Sequence, residues 1–512
     1  MSSGGAHVSS AEGSRRASAP AQEGSAWRVG LVAACVYLVC AAAWLLAASA
    51  LWEHGFRAGV VVSDAVSWHR NFALVTEENP LRLARPGVFF LAFYRVSPHL
   101  NTLLNALLVA SSIALTAVAT QRAVGGAGGL RAARFVAFSM ALMPWLWIVT
   151  PGPTKEPFAL PAVAASILFV VDQRARTFLL ALVFLAVLCI ARVEQAIMLL
   201  GIMGIAIAMQ RTAKPRLLLL GTACGALAVG VVLFWAGEAW LGYRTFFNLS
   251  PQLWPLKSTQ VEGPEARIGE LGRWLSEKGW YDPFWNIFAL GYRLAANLLG
   301  TVLRMGVVTT SGVPSILGIG QALAGFIVFA GFVATALRLR RGDDRLATLL
   351  GLHLGVIWIG ASMVAFVQPR YILVELPVAL VALATTAPAL RRAVLGWTLA
   401  GALAIRGALA LAGMGIPSDR PLEDDRPPFL LLSAPAPGGP AARLTDVDLA
   451  HGEPTRSGRR RPRCKISGNS RELRRRKPPL RATAAGEAGR WSVQEAAPPG
   501  AATSPDAAEL AP

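Results

Sequence analysis

From about residue 29 to about residue 415 the chain is a succession of apolar runs separated by short polar turns, and the runs recur at lengths that cross a hydrocarbon layer of roughly 30 Å. Few folds tolerate this pattern. In lipid every backbone N–H and C=O must be paired within the protein, so only helices or closed barrels cross. A mean hydropathy of +0.48, with 54% hydrophobic and 15% charged residues, excludes an ordinary soluble domain. The sequence predicts an all-α fold: a multi-pass transmembrane helical bundle of about eleven spans, with interfacial helices on the external side. The first run, Val29 to Leu51, exceeds the core of a signal peptide and reads as a retained anchor.

Charge sets the expected orientation. Residues 1–26 read as a disordered, Ser-, Gly- and Ala-rich basic leader, and Arg15, Arg16 and Arg28 ahead of the first span place the N-terminus in the cytoplasm. Further basic loops recur at Arg122 to Arg134, Arg174 and Arg176, Arg338 to Arg345, and Arg391 and Arg392. Between them, residues 53–86, 151–156, 192–195, 237–312 and 368–371 fall outside, as in a plasma (inner) membrane protein. Single cysteines at Ser67 and Asp343, in a chain without its native cysteines, are expected to react with an impermeant thiol reagent from opposite sides. Reaction of both from outside contradicts this map.

Residues 27–415 form the expected membrane domain, and residues 416–512 a disordered tail rich in Pro, Ala and Arg. Between Arg456 and Arg481 twelve Lys or Arg face the single acid Glu472, so +11 of the net +19 lies there. The membrane body is only mildly basic, and no nucleic-acid partner is expected. The cysteines show neither metal spacing nor a disulfide framework, and no sugar-nucleotide or metal motif is evident. Neither a cofactor nor a metal is therefore assigned.

Charge, aromatic rings and turn residues first occur together between Glu53 and Pro86, around VVSDAVSWHRN. At helical spacing Asp64, Ser67 and Asn71 share a polar face, with Val62, Ala65, Val66 and Phe72 largely on another. The predicted external turns add Lys155-Glu156, Arg192 and Glu194, and Arg370-Tyr371. His69 in the first loop and Arg293 complete the candidate set. Arg293 stands on a stripe with Asn286, Asn297 and Arg304 that reads as a helix along the outer surface. A carboxylate among several cations suits a phosphate-bearing substrate, the cations holding phosphate and the carboxylate acting as base.

An acid in the first external loop, an aromatic Pro-containing segment (GVFFLAFYRVSPHLN), a Lys-Glu turn and the late run QPRYILVELPVALVALA together resemble the membrane-embedded GT-C glycosyltransferases. The likeness is to the protein O-mannosyltransferase and lipid A aminoarabinose transferase type, over roughly Ala26 to Gly415. One acid alone carries over, since Ala65 follows Asp64 where that family often has Asp-Glu. The resemblance implies transfer of a sugar from a membrane-lipid donor, a polyprenyl-phosphate-linked sugar, to a glycan, lipid or protein acceptor outside, in cell-envelope synthesis. Asp64 would be the catalytic base, with Lys155, Arg192 or Arg370 on the leaving phosphate. A polysaccharide polymerase or ligase is the alternative within enzymes. A transporter or flippase of a lipid or anion is the alternative outside them, and it calls for internal repeats and helices broken near mid-membrane.

Overall fold

The computed structural model describes residues 19–54, 89–209, 316–341, 344–362 and 370–411, with residues 65, 68–69, 221, 224, 291, 294–295, 297–301 and 429–430. The chain divides into two compact units, Met1–Asp446 and Val447–Pro512, and all the described residues belong to the first.

Every element among the described residues is a helix. In order they are α1 Ala19–Glu53, α2 Phe90–Val96, α3 Pro98–Val124, α4 Gly126–Ala141, α5 Pro144–Ile148, α6 Glu156–Asp172, α7 Ala175–Cys189 and α8 Val193–Ala208. They continue as α9 Ile316–Arg340, α10 Arg345–Ser362, α11 Arg370–Leu373, α12 Leu376–Ala384 and α13 Pro388–Leu411. Four are long and apolar enough to cross a membrane, over Gly24–Glu53, Pro98–Val124, Ile316–Arg340 and Arg345–Ser362. Of the apolar run 217–236 only Gly221 and Cys224 are described, and nearly all of the loop at 237–312 lies outside the described residues.

Polar residues gather at two levels of this bundle. At one, Asp172 bonds Arg122 at 2.8 Å and Arg174 at 3.2 Å, Arg345 donates to Gln173 at 2.9 Å, and Arg338 bonds both Asp344 and Thr385. Asp344 is also the N-cap of α10, accepting from the Ala347 N–H at 3.0 Å. Burial alone would raise its pKa, but that N–H and the Arg338 guanidinium together hold it below the ordinary carboxylate range. The other level holds Lys155, Glu156 and Arg192. Between them α6 rises roughly 24 Å at 1.5 Å per residue, close to a hydrocarbon thickness.

Two of the apolar runs are broken. The run 135–150 forms α4 and α5 with a break at Leu142–Met143, because Pro144 has no N–H to continue the ladder. Trp147 Nε1 donates to the Ala141 carbonyl at 2.7 Å, satisfying a group the break frees. The run from 372 breaks between α11 and α12, where Glu375 is the N-cap and Pro377 occupies the first turn.

Lipid gives helices no hydrophobic reason to associate, so close packing of small residues matters. α3 packs on α1, α4 and α6, and α9 on α12. A Cβ on Gly30 would lie 2.8 Å from Ala114 Cα, and one on Gly331 2.6 Å from Ala379 Cα. Gly331→Ala is therefore expected to destabilise the bundle by about 1–3 kcal/mol through overpacking. Gly355→Ala, where nothing lies within 4 Å, is expected to be neutral or slightly stabilising. Detergent-solubilised thermal melts compare the two, and equal effects contradict the packing account.

The tail boundary needs moving. Phe429 and Leu430 are 0% and 5% exposed and belong to the main core, although the sequence places both in the disordered tail. Phe429 packs beside Gly152 and Ala65. Truncation after Asp446 is expected to leave the cooperative melt unchanged, whereas truncation after Gly415 is expected to lower it by the loss of a buried aromatic, about 3–5 kcal/mol. Indistinguishable melts contradict a packed Phe429.

Candidate functional site

The turn between α5 and α6, 149–155, is pinned from two sides. Gly152 turns at φ +84°, a left-handed conformation suited to glycine. Its carbonyl accepts from Asn101 Nδ2 at 2.9 Å and Asn105 Nδ2 at 2.8 Å, and Asn105 also donates to the Thr150 carbonyl at 3.0 Å. Thr150 Oγ1 spends its proton on the Leu146 carbonyl at 2.7 Å, so it accepts from Tyr37 of α1. Thr154 is tied back to the Val149 carbonyl. These bonds set where the chain enters α6, and hence where Lys155 and Glu156 stand.

Arg192 precedes α8 as Glu156 opens α6. Its Nη2 donates to Glu156 Oε1 at 3.0 Å, and the two side chains are 6% and 5% exposed. Glu156 Oε2 accepts the Lys155 backbone N–H at 3.1 Å. The Arg192 guanidinium lies 4.4 Å from the centroid of the Tyr371 ring, a cation–π contact in a desolvated setting. Its Nε is buried and has no acceptor among the described residues. Lys155 Nζ sits 5.1 Å from the Trp68 ring and 5.5 Å from Phe90, and the Trp68 and Phe90 rings meet edge to face.

These groups line one cavity of about 240 Å³, walled by Trp68, Thr154, Lys155, Glu156, Arg192, Glu194, Gln195 and Tyr371 and floored by Met198, Ile357, Gly360 and Ala361. The structure thus brings together Lys155, Glu156, Arg192, Glu194 and Tyr371. His69 does not line it. Its Nδ1 is hydrogen-bonded to Tyr94 of α2 at 2.8 Å. Asp64, Arg293 and the Arg370 side chain lie outside the described residues; of the first loop, Ala65 is buried beside Gly152 and Trp68 is half-buried. Of the 286–304 stripe, Asn297 donates to Ser362 Oγ at 3.2 Å at the end of α10. No group of His, Cys, Asp and Glu fit to hold a metal occurs among the described residues.

Sequence reasoning missed Trp68 and Gln195 as wall residues and the Tyr37, Asn101 and Asn105 clamp. Asn101 and Asn105, four apart in an apolar helix, are a visible signal: two amides on one face of a span need partners.

Set against protein-family models, curated proteins and solved structures, the chain has no significant match in any of the three.

Proposed function

We propose that this chain is a plasma-membrane glycosyltransferase of the GT-C kind, with about eleven spans and a cytoplasmic N-terminus. It moves a sugar from a polyprenyl-phosphate carrier to an external acceptor. One observation carries the reading: a guanidinium, already salt-bridged to Glu156, lines a cavity that also holds Lys155. A phosphate oxygen accepts charge-assisted hydrogen bonds from a guanidinium and an ammonium, so the two cations suit a phosphate head. The cavity is smaller than the roughly 300–1,000 Å³ of drug-sized sites, so it suits one sugar-phosphate head with the polyprenyl chain left in lipid. Trp68 and Tyr371 provide flat faces for the sugar.

In the reaction the acceptor oxygen attacks the anomeric carbon and its proton passes to the Asp64 carboxylate. The bond between that carbon and the phosphate oxygen breaks, and its electron pair leaves with the polyprenyl phosphate. Lys155 and Arg192 stabilise the charge that grows on that phosphate. Inversion at the anomeric carbon follows from the single displacement.

A transporter or flippase is the second reading, and the break at Glu375 between α11 and α12 is what favours it. Proteoliposomes supplied with polyprenyl-phosphate donors carrying tritiated mannose, glucose or arabinose separate the two. Release of polyprenyl phosphate with label in a glycosylated or hydrolysed product supports the transferase. Movement of intact donor across the bilayer, without bond cleavage, supports the transporter.

A further inference from the structure

One turn beneath the cavity floor three more polar side chains meet. Ser166 of α6, His353 of α10 and Glu375 at the α11–α12 break are each 0–1% exposed. Ser166 Oγ lies 2.7 Å from His353 Nε2, and His353 Nδ1 lies 2.7 Å from Glu375 Oε2. The order hydroxyl, imidazole, carboxyl is that of a nucleophilic triad. The proton count excludes that use. Ser166 has one hydroxyl proton, and it is donated to the Val163 carbonyl at 2.8 Å. Ser166, His353 and Glu375 also do not line the cavity, whose lining ends at Ile357 and Tyr371, one helical turn from His353 and Glu375.

With its proton committed, Ser166 accepts from His353 Nε2–H, which leaves Nδ1 facing Glu375. Glu375 Oε1 is buried with no donor among the described residues. An ionised carboxylate there would keep one oxygen unsolvated in an apolar core, at high cost. As a carboxylic acid the same oxygen is a carbonyl, and Oε2–H has His353 Nδ1 to bond. Among the described residues no other charge is placed to hold a carboxylate. On the helices packed against α12, the remaining titratable groups are Glu156 and Asp172 at the ends of α6, Arg338 and Arg340 in the last turn of α9, and Arg345 opening α10. On α3 they are His99 and Arg122, near its two ends, and on α4 the exposed Arg131 and Arg134.

We propose that Glu375 is a neutral carboxylic acid, and that the one-way chain from Glu375 through His353 and Ser166 to the Val163 carbonyl makes Glu375 and His353 positioning residues for the Tyr371–Arg192 wall. The helix break explains the means. Glu375 turns its carboxyl to α10 instead of capping α12, and its N–H is bonded to the Ile372 carbonyl at 3.0 Å, which closes the turn immediately after Tyr371. The functional consequence rests on Arg192 holding the donor phosphate; the protonation does not.

The test is infrared difference spectroscopy of the purified full chain in lipid, without donor, at mildly alkaline pH. Wild type minus Glu375→Gln is expected to show the C=O stretch of a protonated carboxyl. Glutamine donates to Nδ1 in the same way, so Glu375→Gln is expected to keep the wild-type melt and turnover of tritiated polyprenyl-phosphate sugar within about twofold. Glu375→Leu leaves Nδ1 without a donor and lets the wall shift, with about a 10²-fold fall in turnover, as for a misplacement of roughly 1 Å. Absence of the C=O band, or Glu375→Gln as damaging as Glu375→Leu, overturns the proposal. A band present with no donor turnover in any variant upholds the neutral acid and sinks the transferase reading instead.

Discussion

Arg192→Leu is expected to abolish donor turnover and to destabilise the protein together. The two side chains of the Arg192–Glu156 pair are nearly inaccessible, so removing the cation strands a carboxylate in a dry site. Breaking a buried pair from one side typically costs about 3–5 kcal/mol. The double variant Arg192→Leu/Glu156→Leu removes both charges and is expected to recover most of the melting temperature, since apolar replacement of a buried pair is often neutral or better. Turnover is expected to stay low in it, because the group on the leaving phosphate is gone; losing one such donor typically costs about 10²–10³-fold. Arg192→Lys keeps the charge but loses the planar fork and the stacking on Tyr371, so it is expected to be intermediate. Thermal melts alongside donor turnover read the separation. A double variant that regains activity with stability would reduce Arg192 to a structural residue.

Asp64→Asn carries the second large effect. It preserves size and hydrogen bonding but cannot accept the acceptor's proton. Proton transfer by a positioned group is typically worth about 10²–10⁴ in rate, and transfer is expected to fall by that factor while expression and donor binding persist. Glu77→Gln and Glu78→Gln, in the polar TEEN stretch of the same loop, are expected to lose little. Full transfer by Asp64→Asn, or an essential Glu77 or Glu78, rules out Asp64 as the base.

Much of the helix layout was legible because hydropathy and basic turns mark where a chain enters and leaves an apolar layer. The runs 158–171, 177–191 and 196–209 sit within a few residues of α6, α7 and α8. What hydropathy reports is depth, not lateral neighbours. Nothing in the spacing of Glu156 and Arg192, 36 residues apart, says that these two pair, or that Tyr371 lies against the guanidinium. The clamp on Gly152 was hidden for the same reason, its donors coming from a helix some fifty residues earlier. The breaks at Pro144 and Glu375 left a local trace, since each run carries a proline, but apolar continuity outweighed it. Glu375 is an acid within an apolar run, yet its partners His353 and Ser166 come from two other helices. The buried Phe429 was obscured by the Pro-rich composition around it.

A lipid phosphate in the cavity is the central expectation. An experimental structure of the full chain in lipid nanodiscs, with saturating polyprenyl monophosphate, tests this most directly. The phosphate is predicted within hydrogen-bond reach of the Arg192 guanidinium and Lys155 Nζ, with the isoprenoid chain leaving toward lipid. A phosphate bound elsewhere, or a cavity that stays free of it at saturation, contradicts the central claim.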